Sequence, residues 1–550
     1  SGFTGSAGTL LVMADRAILW TDGRYYVQAE KELASTKIEL YRMQEKGVPA
    51  IREFLRDVLA YGMCVGCDGR TISTSFYLEL LKITEETGAL IRSDIDLADR
   101  VWPERPPMTK NGVYFLDLSI AGSDTGTKLA QLRRLLAKKD ADAYVLTELG
   151  SIMWLFNLRG SDIACNPVAF SYAYISQEQA ILFLPEDGSE KETANVLLKF
   201  GVRIASYDEI EGFLLKLSGE RLLCDPQMVN CRLYQCMKEK NRVLFGENTE
   251  MIEKAVKNDI EISHARKYHV IDAVSVLRFI IYIKEQVKTA HVTEYEAAKY
   301  LDALREKNEG FVGLSFETIC AYKENAAIVH YSAKPEGSAL LHPKGMLLVD
   351  SGGQYLGATT DITRTIVLGE LTMEEKEHYT AVLKGLLHLA DARFLEGCTG
   401  ENLDILAREP IWRLGIDYRH GTGHGIGSFL NVHEGPQAFR FKINREHLQP
   451  PLQAGMITSD EPGIYIEGSH GIRLENELLC VKKEETEWGS FLGFETLTLV
   501  PFDLDAVLPK LMSEKEKILL NVYHANVFRT LCPHLTDSEK TWLAAHTHKI

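Results

Sequence analysis

Five potential metal-ligating side chains, far apart in the sequence, constrain the fold of this chain more than any other feature. They are four carboxylates and one imidazole: Asp350, Asp361, His424, Glu461 and Glu475. If the fold gathers the four carboxylates, their mutual repulsion is costly unless cations balance it, and two divalent ions would neutralise them. The chain must therefore either hold metal at this cluster or keep these residues well separated.

The setting of the first two carboxylates predicts a hairpin. The apolar segment 346–349 reads as a strand that ends at Asp350, and Ser351-Gly352-Gly353 then turns the chain back toward Asp361. Two ionised carboxylates a few Å apart either share a proton or bind cations. By itself the pair is a weak signal, because Asp beside Gly at a strand end is more often a turn residue.

The other three candidates stand in similar settings. His424 lies in the segment His420–Gly427, where alternating glycines disfavour a helix and let the backbone approach another group closely. Glu461 and Glu475 each follow a strand-like segment beside turn residues. A lone histidine is usually a surface or core residue, but His420, His424 and His433 together indicate a site. Oxygen-rich ligation with one imidazole suits Mn²⁺, Fe²⁺, Co²⁺ or Zn²⁺, and the sequence does not choose among them.

Charge and composition exclude several classes of protein. The 550 residues carry a net charge of -16, and the basic residues form no patch, so nucleic acid is not expected as a partner. The longest apolar stretch, Val276–Ile283, is interrupted by Arg278 and reads as a buried helix face rather than a membrane span. The ten cysteines are scattered, and Cys64 and Cys67 form the one CxxC pair, so we interpret them as core residues or inert thiols.

The order of the predicted elements divides the chain into three domains, at 1–110, 111–249 and 250–550. The Pro-rich segment Trp102–Pro107 reads as a linker, and the first two domains share a strand and helix alternation. The first is expected to lack its opening helix and strand, a few tens of residues before Ser1. No leader peptide opens the chain, which favours a cytoplasmic, reducing location.

The predicted elements are strands Thr9–Met13, Ala17–Trp20 and Ala143–Leu146, helices Tyr25–Leu33 and Lys128–Lys138, a hairpin Phe170–Ile175 with Ala180–Leu184, and capping boxes at Thr293/Glu296 and Thr372/Glu375.

These motifs, in this order, resemble the pita-bread metallopeptidases, the family that includes methionine aminopeptidase, prolidase and aminopeptidase P. Within that family the chain is most similar to the three-domain cytosolic aminopeptidase P type, over almost its whole length. The segments that carry the resemblance are Ser1–Thr9, Trp20–Tyr25, Phe156–Asp162, His420–His424, Leu430–Pro436, Glu461–Gly463 and Thr496–Pro501.

The resemblance implies a multidomain α/β and α+β protein. Its C-terminal pita-bread domain has a curved antiparallel sheet covered by helices, behind two similar, smaller α/β domains, and the family usually forms homodimers. The cofactors implied are two divalent metal ions, Mn²⁺ first, with Co²⁺ or Zn²⁺ as alternatives. Asp350 would hold one ion, Asp361 and Glu475 would contact both, and His424 and Glu461 would complete the second.

The implied activity is release of the N-terminal residue from peptides with proline in second position, by attack of a metal-bridging hydroxide on the scissile carbonyl. Glu461 is the candidate general base, while His433 would stabilise charge on the carbonyl oxygen and His330 would contact the substrate near the cut. The resemblance also implies further substrate-binding residues: His420 and Tyr465 match positions that line the proline pocket, and Arg473 matches the partner residue of the family's IR-x-E motif. Without the family, packing or ion pairing is the ordinary reading of His330, Tyr465 and Arg473.

Two alternatives remain open from the sequence. One is another specificity in the same family, a prolidase restricted to dipeptides or a methionine aminopeptidase, which usually lacks the two preceding domains. The other is a protein that keeps the pita-bread fold but binds partners without catalysis. Such proteins typically lose metal ligands, whereas all five positions are intact here.

Overall fold

The computed structural model describes residues 1–185, 191–247, 250–443 and 448–550. Contacts group the chain into two compact units, one of Ser1–Leu40 with Ala255–Ile550 and one of Tyr41–Lys254. The predicted domain boundary at 249 lies outside the described residues, and the three-domain division stays a prediction. Among the described helices, none combines the length and the apolar composition needed to cross a bilayer.

The unit Tyr41–Lys254 is built around a six-stranded sheet with mixed pairing. From one edge to the other its strands are Val202–Ser206, Ala180–Leu184, Tyr172–Ser176, Ala143–Leu146, Arg221–Cys224 and Arg242–Phe245. The three-residue strands Cys64–Gly66 and Leu90–Arg92 pair in parallel, and Val113–Phe115 pairs antiparallel with Leu158–Gly160. The predicted strand Ala143–Leu146 is confirmed, and the predicted hairpin is formed by Tyr172–Ser176 with Ala180–Leu184.

Helices cover this sheet and begin at side chains that cap their free N–H groups. Asp124 accepts a hydrogen bond from the backbone N–H of Thr127, and Asn230 does the same for Leu233. The predicted helix Lys128–Lys138 is part of a helix that begins three residues earlier, at Thr125. The helices are Ile51–Val58, Thr74–Thr87, Leu97–Val101, Leu118–Ala121, Thr125–Lys138, Leu149–Leu155, Lys191–Lys199, Ile210–Lys216, Cys231–Lys238 and, where the two units meet in sequence, Glu250–Ala255, with a 3₁₀ turn at Tyr207–Glu209.

The N-terminal part of the other unit is a short β-hairpin followed by a helix. Strands Thr9–Val12 and Ala17–Thr21 pair antiparallel, and the helix Tyr26–Leu33 follows, close to the predicted bounds. The strand Ile38–Arg42 comes next, and the division between the units falls within it. Ile18, Leu19 and Trp20 are buried, because the apolar side chains of this hairpin form its core.

Long helices dominate the remainder of this unit. Both predicted capping boxes are confirmed: Thr293 and Glu296 exchange side-chain and backbone hydrogen bonds, and Thr372 and Glu375 do the same. The predicted buried stretch Val276–Ile283 lies within the first helix and packs on the strands that carry the candidate site. The helices are Asp259–Gln286, Glu294–Arg305, Met373–Ala390, Gly400–Trp412, Glu514–Leu531 and Asp537–His546, with 3₁₀ turns at Lys323–Ala327, Leu504–Ala506, Pro509–Leu511 and Cys532–His534.

Antiparallel strands lie beneath these helices, as expected for the C-terminal domain. One sheet has the order Ile319–Tyr322, Met346–Ser351 and Ile362–Val367, and another has Phe311–Leu314, Gly353–Tyr355 and Ala358–Thr359. The rest are a four-stranded sheet of Arg393–Leu395, Gly489–Thr496, Asn476–Thr486 and Ile457–Asp460, with the pairs Gly423–His424 with Ala438–Phe439 and Gly463–Ile466 with His470–Arg473. Their ends carry the candidate site.

Candidate active site

A hairpin brings the first two candidate carboxylates close together. In the pairing of Met346–Ser351 with Ile362–Val367, Asp350 stands opposite Thr363, two residues beyond Asp361. Both carboxylates are buried, with relative exposures of 8% and 5%. The predicted hairpin is therefore present, and each carboxylate stands at the end of its strand.

The other three residues reach the same place from neighbouring strands. His424 lies on the short strand Gly423–His424, where a Cβ at Gly423 would overlap the carbonyl oxygen of Ser459. Glycine is needed there because the strand passes so close to its neighbour. Glu461 directly follows the strand Ile457–Asp460, and Glu475 lies between His470–Arg473 and Asn476–Thr486.

The ligand atoms of this cluster converge. Asp361, His424 and Glu475 each offer one atom, and these atoms lie within 4.8 Å of one another. His424 Nε2 is 3.5 Å from Asp361 Oδ2 and 3.5 Å from Glu461 Oε1. Distances of this size leave room for a cation between the atoms, because metal–oxygen and metal–nitrogen bonds are about 2.0–2.2 Å long.

Hydrogen bonds orient these side chains toward one another. His424 Nδ1 is 3.0 Å from the carbonyl oxygen of Gly425, which can only accept, so Nδ1 carries the proton and the Nε2 lone pair faces the carboxylates. Thr363 Oγ1 donates to Glu475 Oε2 at 2.7 Å. The backbone N–H of Asp361 donates to Glu477 Oε1 at 2.7 Å. Contacts of this kind fix the geometry that a metal ion requires.

The donor set also fits a cation electrostatically. Asp350 Oδ2 accepts a hydrogen bond from Arg473 at 2.6 Å, while Asp350 Oδ1 is buried without a hydrogen-bond partner among the described residues. Burial, followed by the charges of neighbouring carboxylates, holds the pKa of Asp361 and Glu475 well above its usual range. Burial also raises the pKa of Glu461 to about 8. Four crowded carboxylates and one imidazole suit hard divalent ions.

These pKa shifts predict how pH affects the metal-free protein. A carboxyl with a raised folded-state pKa keeps its proton where the unfolded chain has lost it, so the free energy of unfolding falls as pH rises. For Glu461 this window runs from 4.5 to about 8. We expect the melting temperature of metal-free protein to fall from pH about 5.5 to about 8. The slope should be shallower in metal-free Glu461→Gln, and equal slopes in the two proteins would contradict the shift.

Arg473 connects the carboxylates to a second group of predicted residues. Its Nη1 donates to the hydroxyl of Tyr465 at 2.8 Å, and that hydroxyl is 2.8 Å from His420 Nε2. Because His420 Nδ1 donates to the carbonyl of Gly421, Nε2 accepts from Tyr465. The rings of His420 and Tyr465 meet edge to face, with centroids 5.4 Å apart.

The two remaining histidines also lie at the site. The ring of His433 is 4.3 Å from that of His424, centroid to centroid, and it is exposed to solvent. Arg473 Nη2 is 3.4 Å from the carbonyl oxygen of Val329, which directly precedes His330. The structure therefore connects the candidate metal ligands with His433, Arg473, Tyr465 and His420, and it places the backbone before His330 beside Arg473.

Several residues at the site were not singled out by the sequence analysis. Thr363 and Glu477 bond to the candidate ligands, and Ser459 Oγ accepts the backbone N–H of His424. Tyr25, which the sequence placed in a motif and at the start of a predicted helix but not at the site, bonds to His330 from 305 positions away. Thr363, Ser459 and Glu477 each lie two positions from a candidate ligand, which was a usable signal for them, whereas no local pattern pointed to Tyr25.

Four family models match successive parts of the chain. Models described as "Creatinase/Prolidase N-terminal domain" match residues 1–95 and 104–261. "Metallopeptidase family M24" matches residues 263–482, and "C-terminal region of peptidase_M24" matches residues 490–550. Together these matches account for nearly the whole sequence.

Relatives of known name match over the same length. Aminopeptidase P2 of Arabidopsis thaliana is 38% identical, with 100% of this chain and 82% of the relative covered. Xaa-Pro aminopeptidase 1 of Dictyostelium discoideum is 37% identical, with 99% of this chain and 89% of the relative covered. The similarity thus includes both N-terminal regions and the candidate site.

Solved structures share the architecture. X-prolyl aminopeptidase from Caenorhabditis elegans, described as a cytosolic enzyme with a di-nuclear active site, is 32% identical with a TM-score of 0.95, and the match covers 100% of this chain and 91% of that one. Xaa-Pro dipeptidase from Bacillus anthracis is 25% identical with a TM-score of 0.54, covering 70% of this chain and 100% of that one.

Proposed function

This chain belongs to metallopeptidase family M24 and, within it, to the aminopeptidase P proteins, and on that premise we propose that it releases the N-terminal residue from peptides with proline in second position. The expected fold, a pita-bread domain behind two creatinase-type N-terminal domains, is confirmed. The observation that carries the proposal is that Asp361, His424 and Glu475 each offer one ligand atom and that these atoms lie within 4.8 Å of one another.

The proposed cofactors are two divalent metal ions held by Asp350, Asp361, His424, Glu461 and Glu475. The buried Asp350 Oδ1 without a described partner and the inward-facing Nε2 of His424 support this set. Mn²⁺ is the ion we propose first, by resemblance to the family, and the donor set is compatible with it. A homodimer and a cytoplasmic location belong to the proposal as well, supported by resemblance to the family.

The chemistry that such ions supply when bound is an acidified water molecule and a polarised carbonyl. Glu461, whose Oε1 is 3.5 Å from His424 Nε2, acts as the general base that takes the proton of the attacking water. The amide nitrogen of proline carries no hydrogen and must gain a proton to leave. The proton taken up at Glu461 therefore supplies the one that the leaving nitrogen needs.

The substrate-binding residues give the reaction its specificity. The edge-to-face pair of His420 and Tyr465 presents flat, weakly polar surfaces suited to a proline ring. Arg473 donates hydrogen bonds to both Asp350 and Tyr465. These bonds fix the distance between the proposed proline pocket and the carboxylates. A free substrate amine beside Asp350 explains why one residue is removed at a time. His330 contacts the peptide near the cut.

The test is release of arginine from an Arg-Pro-Pro peptide by metal-free protein, with Mn²⁺, Co²⁺ or Zn²⁺ added back separately. Metal-dependent release supports the proposed function. Hydrolysis of the dipeptide Arg-Pro with none of the tripeptide would indicate a prolidase instead. Failure of folded protein to cut either peptide with any metal would favour the non-catalytic alternative.

His433→Ala is expected to lower kcat by about 100-fold, because the exposed ring beside His424 would no longer donate to the carbonyl oxygen as charge develops on it. Metal content, measured by mass spectrometry, should stay at the wild-type level. His546→Ala is a matched control, since that histidine bonds to the backbone carbonyl of Trp542 in its own helix and stacks on the ring of that residue. Loss of metal from His433→Ala would instead make His433 a ligand.

A further inference from the structure

The N-terminal hairpin contributes a side chain to the candidate site. Tyr25 follows the strand Ala17–Thr21 and directly precedes the helix Tyr26–Leu33, within the same compact unit as the site. It is only 1% exposed. Its hydroxyl is 2.7 Å from His330 Nδ1, and the two rings meet edge to face at 5.2 Å.

A second hydroxyl bonds to Tyr25 from the other side. Ser6 Oγ is 2.5 Å from the hydroxyl of Tyr25, so Ser6, Tyr25 and His330 form a continuous hydrogen-bonded chain. Phe3 packs edge to face on Tyr25 with ring centroids 5.9 Å apart. Thr21 Oγ1 donates to the carbonyl of Ala7, which ties the Ser6 segment to the hairpin.

The turn that carries Tyr25 is itself held in place. Arg24 Nε and Nη2 both donate to the carboxylate of Asp22, at 2.9 and 2.8 Å. A Cβ on Gly23 would lie 2.6 Å from Cβ of Arg419, so the turn packs directly on the segment that leads to His420. The guanidinium of Arg419 lies 5.2 Å from the ring centre of Tyr26. The position of Tyr25 is thus fixed from several directions.

The environment of His330 favours a neutral ring. Burial first, and then the positive charges of Arg473 and Arg24, lower the pKa of His330 to about 3. A neutral imidazole carries one proton, on either Nδ1 or Nε2, and the partner of one nitrogen decides the tautomer. Because Tyr25 occupies Nδ1, only Nε2 remains available to a bound peptide.

We propose that Tyr25 is a positioning residue for His330: its hydroxyl donates to Nδ1, accepts from Ser6, and so leaves the His330 proton on Nε2 as a donor aimed at the peptide backbone. The inference rests on the proposed function, since it assumes that His330 contacts substrate. A hydroxyl that accepts one hydrogen bond donates a stronger one, so Ser6 supports the donation by Tyr25.

Tyr25→Phe keeps the buried ring and deletes the hydroxyl. We expect kcat for Arg-Pro-Pro to fall roughly 5- to 20-fold with KM and metal content little changed, as for loss of one oriented hydrogen bond. In a His330→Ala background the same change should have no further effect, because Tyr25 acts through that ring. Tyr61→Phe, at a tyrosine that is 91% exposed, is the matched control.

A spectroscopic readout separates positioning from a general structural role. In Zn²⁺-loaded protein with ¹⁵N-labelled histidine, we expect the His330 shifts of wild type to report a proton on Nε2, assigned by comparison with His330→Ala. Tyr25→Phe should give a mixture of tautomers. Wild-type kcat in Tyr25→Phe, additive losses in the double variant, or a proton on Nδ1 of the wild type would each overturn the proposal.

These results are distinguishable from failure of the proposed function. If the wild-type protein cuts no Xaa-Pro peptide, the peptidase assignment fails in the activity assay alone. The tautomer measurement needs no substrate and still decides whether Tyr25 directs the proton of His330. A preserved Nε2 proton in Tyr25→Phe overturns the positioning role whatever the activity is.

Discussion

Replacing Asp361 by asparagine is expected to lower turnover of Arg-Pro-Pro by at least about 1,000-fold while the fold is retained. Metal-assisted hydrolysis depends on several kcal/mol of transition-state stabilisation that the metal supplies, and each 1.36 kcal/mol corresponds to a factor of ten in rate. Asp361 Oδ2 is 3.5 Å from His424 Nε2, and the ligand atoms of Asp361, His424 and Glu475 lie within 4.8 Å of one another, so its carboxylate belongs to the cluster. Asparagine keeps the shape but removes one charge and one ligand oxygen.

The measurements for Asp361→Asn are kcat/KM, metal content by mass spectrometry and the circular dichroism spectrum. Glu475→Gln should behave in the same way, since its carboxylate belongs to the same cluster. Asp302→Asn is a matched control, because Asp302 is a buried carboxylate of the same unit bonded to Lys299 and Thr318. Full activity in either cluster variant would disprove the two-metal assignment.

The candidate ligands could be picked out from the sequence because they stand at or beside strand ends with strong local signals, while their roles stay a prediction. An apolar run that stops at Asp350, glycines around His424 and turn residues beside Glu461 are all visible within a few positions. Repulsion between carboxylates left wide separation open, and only the resemblance to the pita-bread metallopeptidases implied that these residues converge.

Contacts between distant segments left no such signal. Arg408 donates to the backbone carbonyls of Tyr418 and His420, and Asp404 accepts from Thr422, so a helix braces the segment that carries His420 and leads to His424. Each of these side chains reads locally as an ordinary polar residue of a helix or loop. Their roles depend on packing, which the order of residues along one element does not reveal.

The grouping of the N-terminal hairpin was also beyond local reasoning. Alternating strands and helices predict an α/β domain over 1–110, a boundary that stays a prediction, whereas contacts group Ser1–Leu40 with Ala255–Ile550. Periodicity identifies an element and its buried face, but not the partner against which that face packs. For the same reason, the mixed order of the six-stranded sheet was not predictable from its individual strands.

The largest expected effect on stability comes from breaking the buried ion pair of Arg305 and Asp272, which lies between two helices that cover the strands of the site. Arg305 donates through Nε and Nη2 to Asp272, at 2.7 and 3.0 Å, and the two side chains are 0% and 4% exposed. Tyr355 donates to the same carboxylate at 2.7 Å. The pair links the helices Asp259–Gln286 and Glu294–Arg305, which cover the strands of the site.

Arg305→Met is expected to lower the free energy of unfolding of this unit by about 3–5 kcal/mol, because it leaves the carboxylate of Asp272 buried without its cation. Arg266→Met is the matched control: Arg266 bonds to Glu495 through the same two nitrogens, but the side chains are 51% and 38% exposed. Such an exposed pair contributes at most about 1 kcal/mol. Chemical denaturation of the metal-loaded proteins gives both values.

A double variant tests the cause of the loss. Asp272→Leu combined with Arg305→Met removes the unpaired buried charge. The double variant should therefore have a higher free energy of unfolding than Arg305→Met alone, although the hydroxyl of Tyr355 then loses its acceptor. If the double variant were less stable than the single one, lost packing around Arg305 would account for the effect. Equal losses in Arg305→Met and Arg266→Met would show that burial of the pair does not decide its contribution.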